Sequence, residues 1–163
     1  IAALKTNQIA ALTTDQVKNA LTTSQLVGLT SAQVSALTTS QLQALSTDQV
    51  KSMETRDIAA LKTNQIAALT TDQVKSGLTT SQIAGMTTSQ IGAFTTDQVK
   101  NALTTSQLVA LTSVQASALT TSQLQALTTD QLKSMETSDI AALKTNQIAA
   151  LTTEQLRKAI TSR

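Results

Sequence analysis

An apolar residue returns every eight or nine positions along the whole chain, and this interval limits the possible folds more than any other feature. Leu, Met, Phe or Ile fills a slot that begins at Leu4 and recurs through Leu12, Leu21 and Leu29 to Leu151 and Ile160, giving twenty starts in 163 residues. Fifteen of the spacings are eight residues and four are nine. The unit reads Leu-Thr-Thr-x-Gln-(Val/Ile/Leu)-x-Ala, as in Leu37, Thr38, Thr39, Ser40, Gln41, Leu42, Gln43, Ala44. The fifth slot is Gln in seventeen of nineteen complete units, with Asp57 and Asp139 in the other two. The third slot is Thr or Ser in all twenty. Self-similarity at a fixed short period marks a stacked array whose units contact mainly their neighbours.

A longer period lies over the short one. Residues 16–57 return almost unchanged at 98–139, a shift of 82, and the phrase Ile-Ala-Ala-Leu-Lys-Thr-Asn-Gln opens at Ile1, Ile58 and Ile140. The first two openings are 57 apart, so the later interval is longer by 25 residues, or three units. A quasi-one-dimensional array accepts whole extra units, whereas a fold held by specific long-range contacts does not. Residues 1–163 are therefore expected to form a single continuous array of about 20 units. The opening on Ile1 rather than Met predicts a piece of something longer.

Three shapes compete for an eight-residue unit. In a strand, alternate side chains face opposite ways. Slots one and six would then point apart, and either face would bury Thr and Gln. In one continuous helix, eight residues at about 100° each leave about 80° of drift per unit, so the Leu column would wind around the helix and form no seam. A short helix restarted in every unit fits the local chemistry. Thr-x-x-Gln is a capping box, in which the Thr hydroxyl accepts from the third helical amide and the Gln side chain reaches back to the cap. Thr13 with Gln16, Thr38 with Gln41, and Thr120 with Gln123 are examples of this capping ladder. Around the first box, Leu12 and Val17 stand at the two positions of a hydrophobic staple. Asp15 falls in the first turn and Lys18 near the last, which suits the helix dipole, and the pairing recurs at Asp48/Lys51, Asp72/Lys75, Asp97/Lys100 and Asp130/Lys133.

The cap position stays open by one residue. Lys5, Lys62, Lys144, Glu54 and Glu136 occupy the second slot in their units, and neither type caps well. The third slot, always Thr or Ser, is the other candidate. Helices of about six residues are far shorter than the ~12–15 needed to stand alone, so each must be held by its neighbours. The expected fold is all-α: a narrow solenoid of very short helices, one per 8–9-residue repeat. Its Leu, Val/Ile/Leu and Ala face inward, with Thr, Ser and Gln outward or at the corners.

Composition excludes several function classes. The chain has no His, Cys, Pro, Trp or Tyr, and its one aromatic is Phe94, which fills an apolar slot as packing. It thus lacks an imidazole acid–base, a thiol nucleophile and a soft metal site. Its carboxylates form neither a catalytic pair nor a calcium-loop pattern, so neither an enzyme nor a metal or cofactor protein is expected. A net charge of +2 with 13% charged residues is too weak for a phosphate-tracking surface, which speaks against nucleic acid. No run of about 18 apolar residues is present to cross a membrane. Glu54 and Lys62 hold the same slot in consecutive units, as do Glu136 and Lys144, and are expected to meet as inter-repeat ion pairs that set register. Gly28, Gly77, Gly85 and Gly92 replace Ala near unit ends, where a helix C-terminus favours Gly.

The phrases Leu-Thr-Thr-Asp-Gln-Val and Asp-Ile-Ala-Ala-Leu, the latter at 57–61 and 139–143, resemble octapeptide-type arrays in very large bacterial secreted or surface proteins, many of them adhesin-like. The resemblance implies an extracellular or cell-surface location. The unit's opening is also similar to the first helix of transcription-activator-like effector repeats. Those repeats are several times longer and read DNA through a loop this unit lacks, so DNA binding is not implied. The functional expectation is a structural or adhesive module, a stalk, spacer or self-assembling filament unit, that associates with itself end to end or laterally. The alternative is binding of an ordered or repetitive surface such as ice, glycan or mineral through the Thr array.

Overall fold

In the computed structural model, the description covers residue 1 and residues 3–161. The apolar start at Ile160 and the third-slot Ser162 lie outside the described side chains. Every described unit contains one short helix, and among the described residues there are nineteen helices and no strand. Each begins where the capping box places it. At Thr38 the backbone is extended (φ −72°, ψ 161°), and the helix Thr39–Ala44 follows at once. The second slot is therefore the N-cap and the third is the first helical residue, which closes the one-residue choice left by the sequence. Lys5, Lys62, Lys144, Glu54 and Glu136 occupy the same extended cap position without a side-chain cap.

The packing sets the winding. Helices three apart in the chain lie against one another: Thr39–Ala44 on Thr63–Ala68, Thr63–Ala68 on Thr88–Ala93, and Thr129–Ser134 on Thr153–Thr161. Three units thus make one turn of the solenoid. Side-chain bonds measure the same step, as Gln43 Nε2 donates to the carbonyl of Ala68 and Gln125 Nε2 to that of Ala150, each 25 residues further on. The 25 residues that separate the two long intervals are consequently one whole turn. A whole turn adds height and leaves every later unit on the face it would otherwise hold.

Slots one and six supply the core, with Leu42, Ile66, Ile83, Leu108, Leu124 and Leu132 at 1% exposure or less. Phe94 is buried at slot one. Units of nine residues keep this register without a loop. At Gln16–Ala20, Gln73–Gly77 and Gln98–Ala102 the extra residue widens the helix to π geometry. The amides of Leu78 and Leu103 then reach back five residues to Gln73 and Gln98, both at 2.9 Å.

Crowding accounts for Gly85 and bears on Gly77, whereas a Cβ at Gly28 or Gly92 would meet only ordinary contacts. No described Gly has positive φ, and Gly28 and Gly85 stand at the C-terminal ends of their helices, where the sequence places them. Gly85 ends its helix in ordinary right-handed geometry. A Cβ there would lie 2.1 Å from Thr55 Cγ2 on the preceding turn, so Gly85 permits a close approach between turns.

Candidate functional site

Because the units are alike, the groups that hold one turn on the next are the natural place to look for function. The capping boxes come first. Thr38 N–H donates to Gln41 Oε1 at 2.7 Å, and Gln41 N–H donates to Thr38 Oγ1 at 3.2 Å. Thr120 with Gln123 shows the same pair at 2.7 and 3.1 Å, and Thr13 with Gln16 at 2.9 and 3.1 Å. Where Lys stands at the cap, half of the box remains, since Lys62 N–H and Lys144 N–H each donate to the following Gln Oε1 at 2.6 Å.

The fifth-slot Gln also does something the sequence reading did not assign. Its amide nitrogen points inward and donates to two backbone carbonyls of the preceding turn. Gln41 Nε2 reaches Ile9 O at 2.9 Å and Leu12 O at 2.6 Å. Gln90 reaches Ile58 O and Leu61 O at 2.8 and 2.7 Å, and Gln107 reaches Val74 O and Leu78 O, both at 2.7 Å. From Gln33 onward these side chains are buried, with Gln41 at 1% and Gln73 at 2% exposure. The expectation that Gln lies outward with Thr and Ser is thus corrected for this slot. One amide satisfies the helix start with its oxygen and the turn below with its nitrogen, so buried polar groups are paired on both sides. A capping box accepts Glu as readily as Gln. Gln in seventeen of nineteen complete units, with Glu in none, was the sequence signal for a required donor.

Asp57 and Asp139 interrupt this ladder. Both are buried, and each accepts from a Ser hydroxyl one turn earlier: Ser31 Oγ to Asp57 Oδ1 at 2.8 Å and Ser113 Oγ to Asp139 Oδ1 at 2.9 Å. Ser31 and Ser113 are the described third-slot residues that are Ser rather than Thr. The second oxygen, Oδ2, of each Asp is buried without a partner. A shorter acceptor has replaced the long donor, and the Ser recovers one bond. Ser31→Ala is therefore expected to destabilise the array by about 1–3 kcal/mol, because it strips the remaining short contact from a buried carboxyl group. A urea titration followed by circular dichroism reads the loss, and an unchanged midpoint would refute the pairing.

The expected ion pairs are corrected. Among the described residues neither Glu54–Lys62 nor Glu136–Lys144 is an ion pair. Glu54 instead meets Arg56, with Nη2 to Oε2 at 2.9 Å, and Arg56 Nε lies 3.8 Å from Asp57 Oδ1. The reason is the winding: consecutive units occupy adjacent faces, and only units three apart stack. The Arg56 side chain is 65% exposed, so its bridge contributes little. Glu136 has Ser138 where Glu54 has Arg56.

Among the described residues no three of His, Cys, Asp or Glu cluster as metal ligands. No helix is long and apolar enough to cross a membrane. A groove of about 290 Å³ between turns is lined by Lys100, Thr128, Thr152 and Glu154 among others. Two of its three Thr side chains, Thr128 and Thr152, already cap helices, accepting from Gln131 and Gln155. The repeated units present hydrogen-bonding side chains along their surface. Comparison with known families finds the ALTTAQ repeat at residues 19–47, 50–88, 76–101 and 132–162, more than half of the chain. No curated protein matches it.

Proposed function

With the chain belonging to the ALTTAQ repeat family, we propose that it is a structural interaction module. In this reading it is a rod that serves as stalk, spacer or self-assembling filament unit of an extracellular bacterial protein. One observation carries the reading. Turn is joined to turn by one repeated device, the inward amide nitrogen of the fifth-slot Gln. From Gln33 onward the same atom bridges to the turn before it. The same chemistry can join turns of a longer rod or of two copies, and Gln8, Gln16 and Gln25 carry the same donor. The low charge of the surface also allows close approach of copies.

Sedimentation velocity with negative-stain microscopy tests the reading. The expected result is rods that lengthen with protein concentration, and shorten when Gln8, Gln16 and Gln25 are changed together to Glu, which cannot donate. A strict monomer at high concentration would sink end-to-end assembly. The second reading, contact with an ordered surface such as ice, glycan or mineral, draws on the exposed cap Thr side chains that winding stacks once per turn, such as Thr70, Thr95 and Thr120. A thermal-hysteresis measurement tests its ice form, and no hysteresis would remove that form.

A further inference from the structure

Charged units are scattered irregularly along the chain and become ordered only when it is wound. Asp at slot four with Lys at slot seven occurs at 48/51, 72/75 and 97/100, in units three apart. Their helices Thr47–Ser52, Gln73–Gly77 and Gln98–Ala102 stack directly on one another. One face of the solenoid therefore carries Asp48, Asp72 and Asp97 in one column, and Lys51, Lys75 and Lys100 in a second column beside it. Three residues along a helix separate the columns by about 5 Å, and packed helices space the rungs by about 8–10 Å. All six side chains are exposed, and among the described residues none forms an ion pair. Asp97 Oδ1 accepts from Asn101 Nδ2 at 2.7 Å.

The helix dipole accounts for Asp early and Lys late in any single unit. It does not account for three like charges in line on one face. The long repeat of 82 residues is ten units, one more than three whole turns, so successive copies rotate their charged units by a third of a turn. The rotation brings a unit of the second copy, Asp97/Lys100, into line with Asp48/Lys51 of the first.

We propose that this face docks a second copy of the chain, side by side and pointing the same way. A two-fold axis parallel to the rod exchanges left and right, so each Asp column lies opposite the partner's Lys column with the rungs level. Turning the second copy end for end sets Asp against Asp and Lys against Lys. The paired stripe is thus complementary to itself in the parallel orientation alone. A polyanion is repelled by the Asp column and a polycation by the Lys column. The proposal rests on the self-association reading and adds to it a face and a direction.

The test uses the chain as it stands, with a Lys51→Gln, Lys75→Gln, Lys100→Gln variant as control. Gln already occupies this slot at Gln43 and Gln125. The wild-type side-by-side association constant should fall about tenfold or more between 0.01 and 0.15 M salt, as screening shortens from about 30 to 8 Å. The variant should keep its helical circular dichroism and lose the salt-sensitive step. Zero-length coupling of carboxylate to amine in an isotope-mixed sample should join Asp48 of one copy to Lys51 of the other, and Asp97 to Lys100. Salt-independent lateral association, a variant that still pairs, or couplings from Asp48 to Lys100 would overturn the proposal. Rods that lengthen end to end without pairing would refute this face and leave the rod reading intact. A strict monomer at low salt would remove both.

Discussion

Gln90→Glu is expected to be among the most damaging single changes in the array, at about 3–5 kcal/mol, although it alters one atom type and preserves the capping box. The Glu oxygen that still faces the N-cap can accept from the Thr87 amide as Gln Oε1 does, at 2.9 Å. The other oxygen replaces a donor that lies 2.8 Å from Ile58 O and 2.7 Å from Leu61 O, so three acceptors would crowd one buried position. An uncompensated charge in a site 2% exposed costs several kcal/mol. Burial raises the pKa of such a carboxyl. A raised folded pKa means that stability is retained at low pH and lost as pH rises, so the variant's deficit against wild type should narrow on acidification. Paired thermal melts at neutral and acidic pH measure this. The same change at Gln8, where the amide donates to no carbonyl among the described residues, should shift the melt of the isolated chain very little. Equal losses at the two sites would mean that the ladder contributes nothing beyond capping.

The second large effect is expected at Leu108→Ala. Leu108 fills slot six with 0% exposure, and truncating such a side chain costs about 2–5 kcal/mol through lost burial and the cavity left behind. Neighbouring Val109, at slot seven, is 42% exposed, and its change to Ala should move stability by less than about 0.5 kcal/mol. The contrast between adjacent positions reads the helix phase directly. Because each turn touches mainly its neighbours, the Leu108 defect should appear as local loosening before the whole array melts. Hydrogen exchange should therefore show the greatest loss of protection in the turns around residues 74–86 and 131–139. Uniform loss along the chain would indicate a single cooperative unit.

Much of the fold was legible because its signals are local. A capping box constrains four consecutive residues, and an eight-residue interval between apolar slots is incompatible with a strand or a continuous helix. The helix starts and the core slots follow from those facts. Slots three apart in units could not be paired by inspection, because neighbours in space here are about 25 residues away in the chain. That distance misplaced Glu54 opposite Lys62, when winding puts consecutive units on different faces. It also hid the inner half of each Gln, whose partners such as Ile9 for Gln41 lie 32 residues back. Ser31 and Asp57 were both visible as departures from the unit, but only a three-unit turn makes them partners. Gly85 stands at its helix end as its place in the unit predicts, but the neighbour that excludes a side chain there, Thr55, lies on another turn.

Sequence alone determined that this chain must build short helices, restarted every eight or nine residues, with slots one and six inward. Those are consequences of hydrogen-bonding needs and apolar spacing within one unit. The tertiary structure decided the number of units per turn, the double duty of Gln, and which charges share a face. Each depends on the angle through which one short helix passes to the next, and that angle is set by packing across the core. A repeat can specify such a unit many times over without stating how the copies are wound.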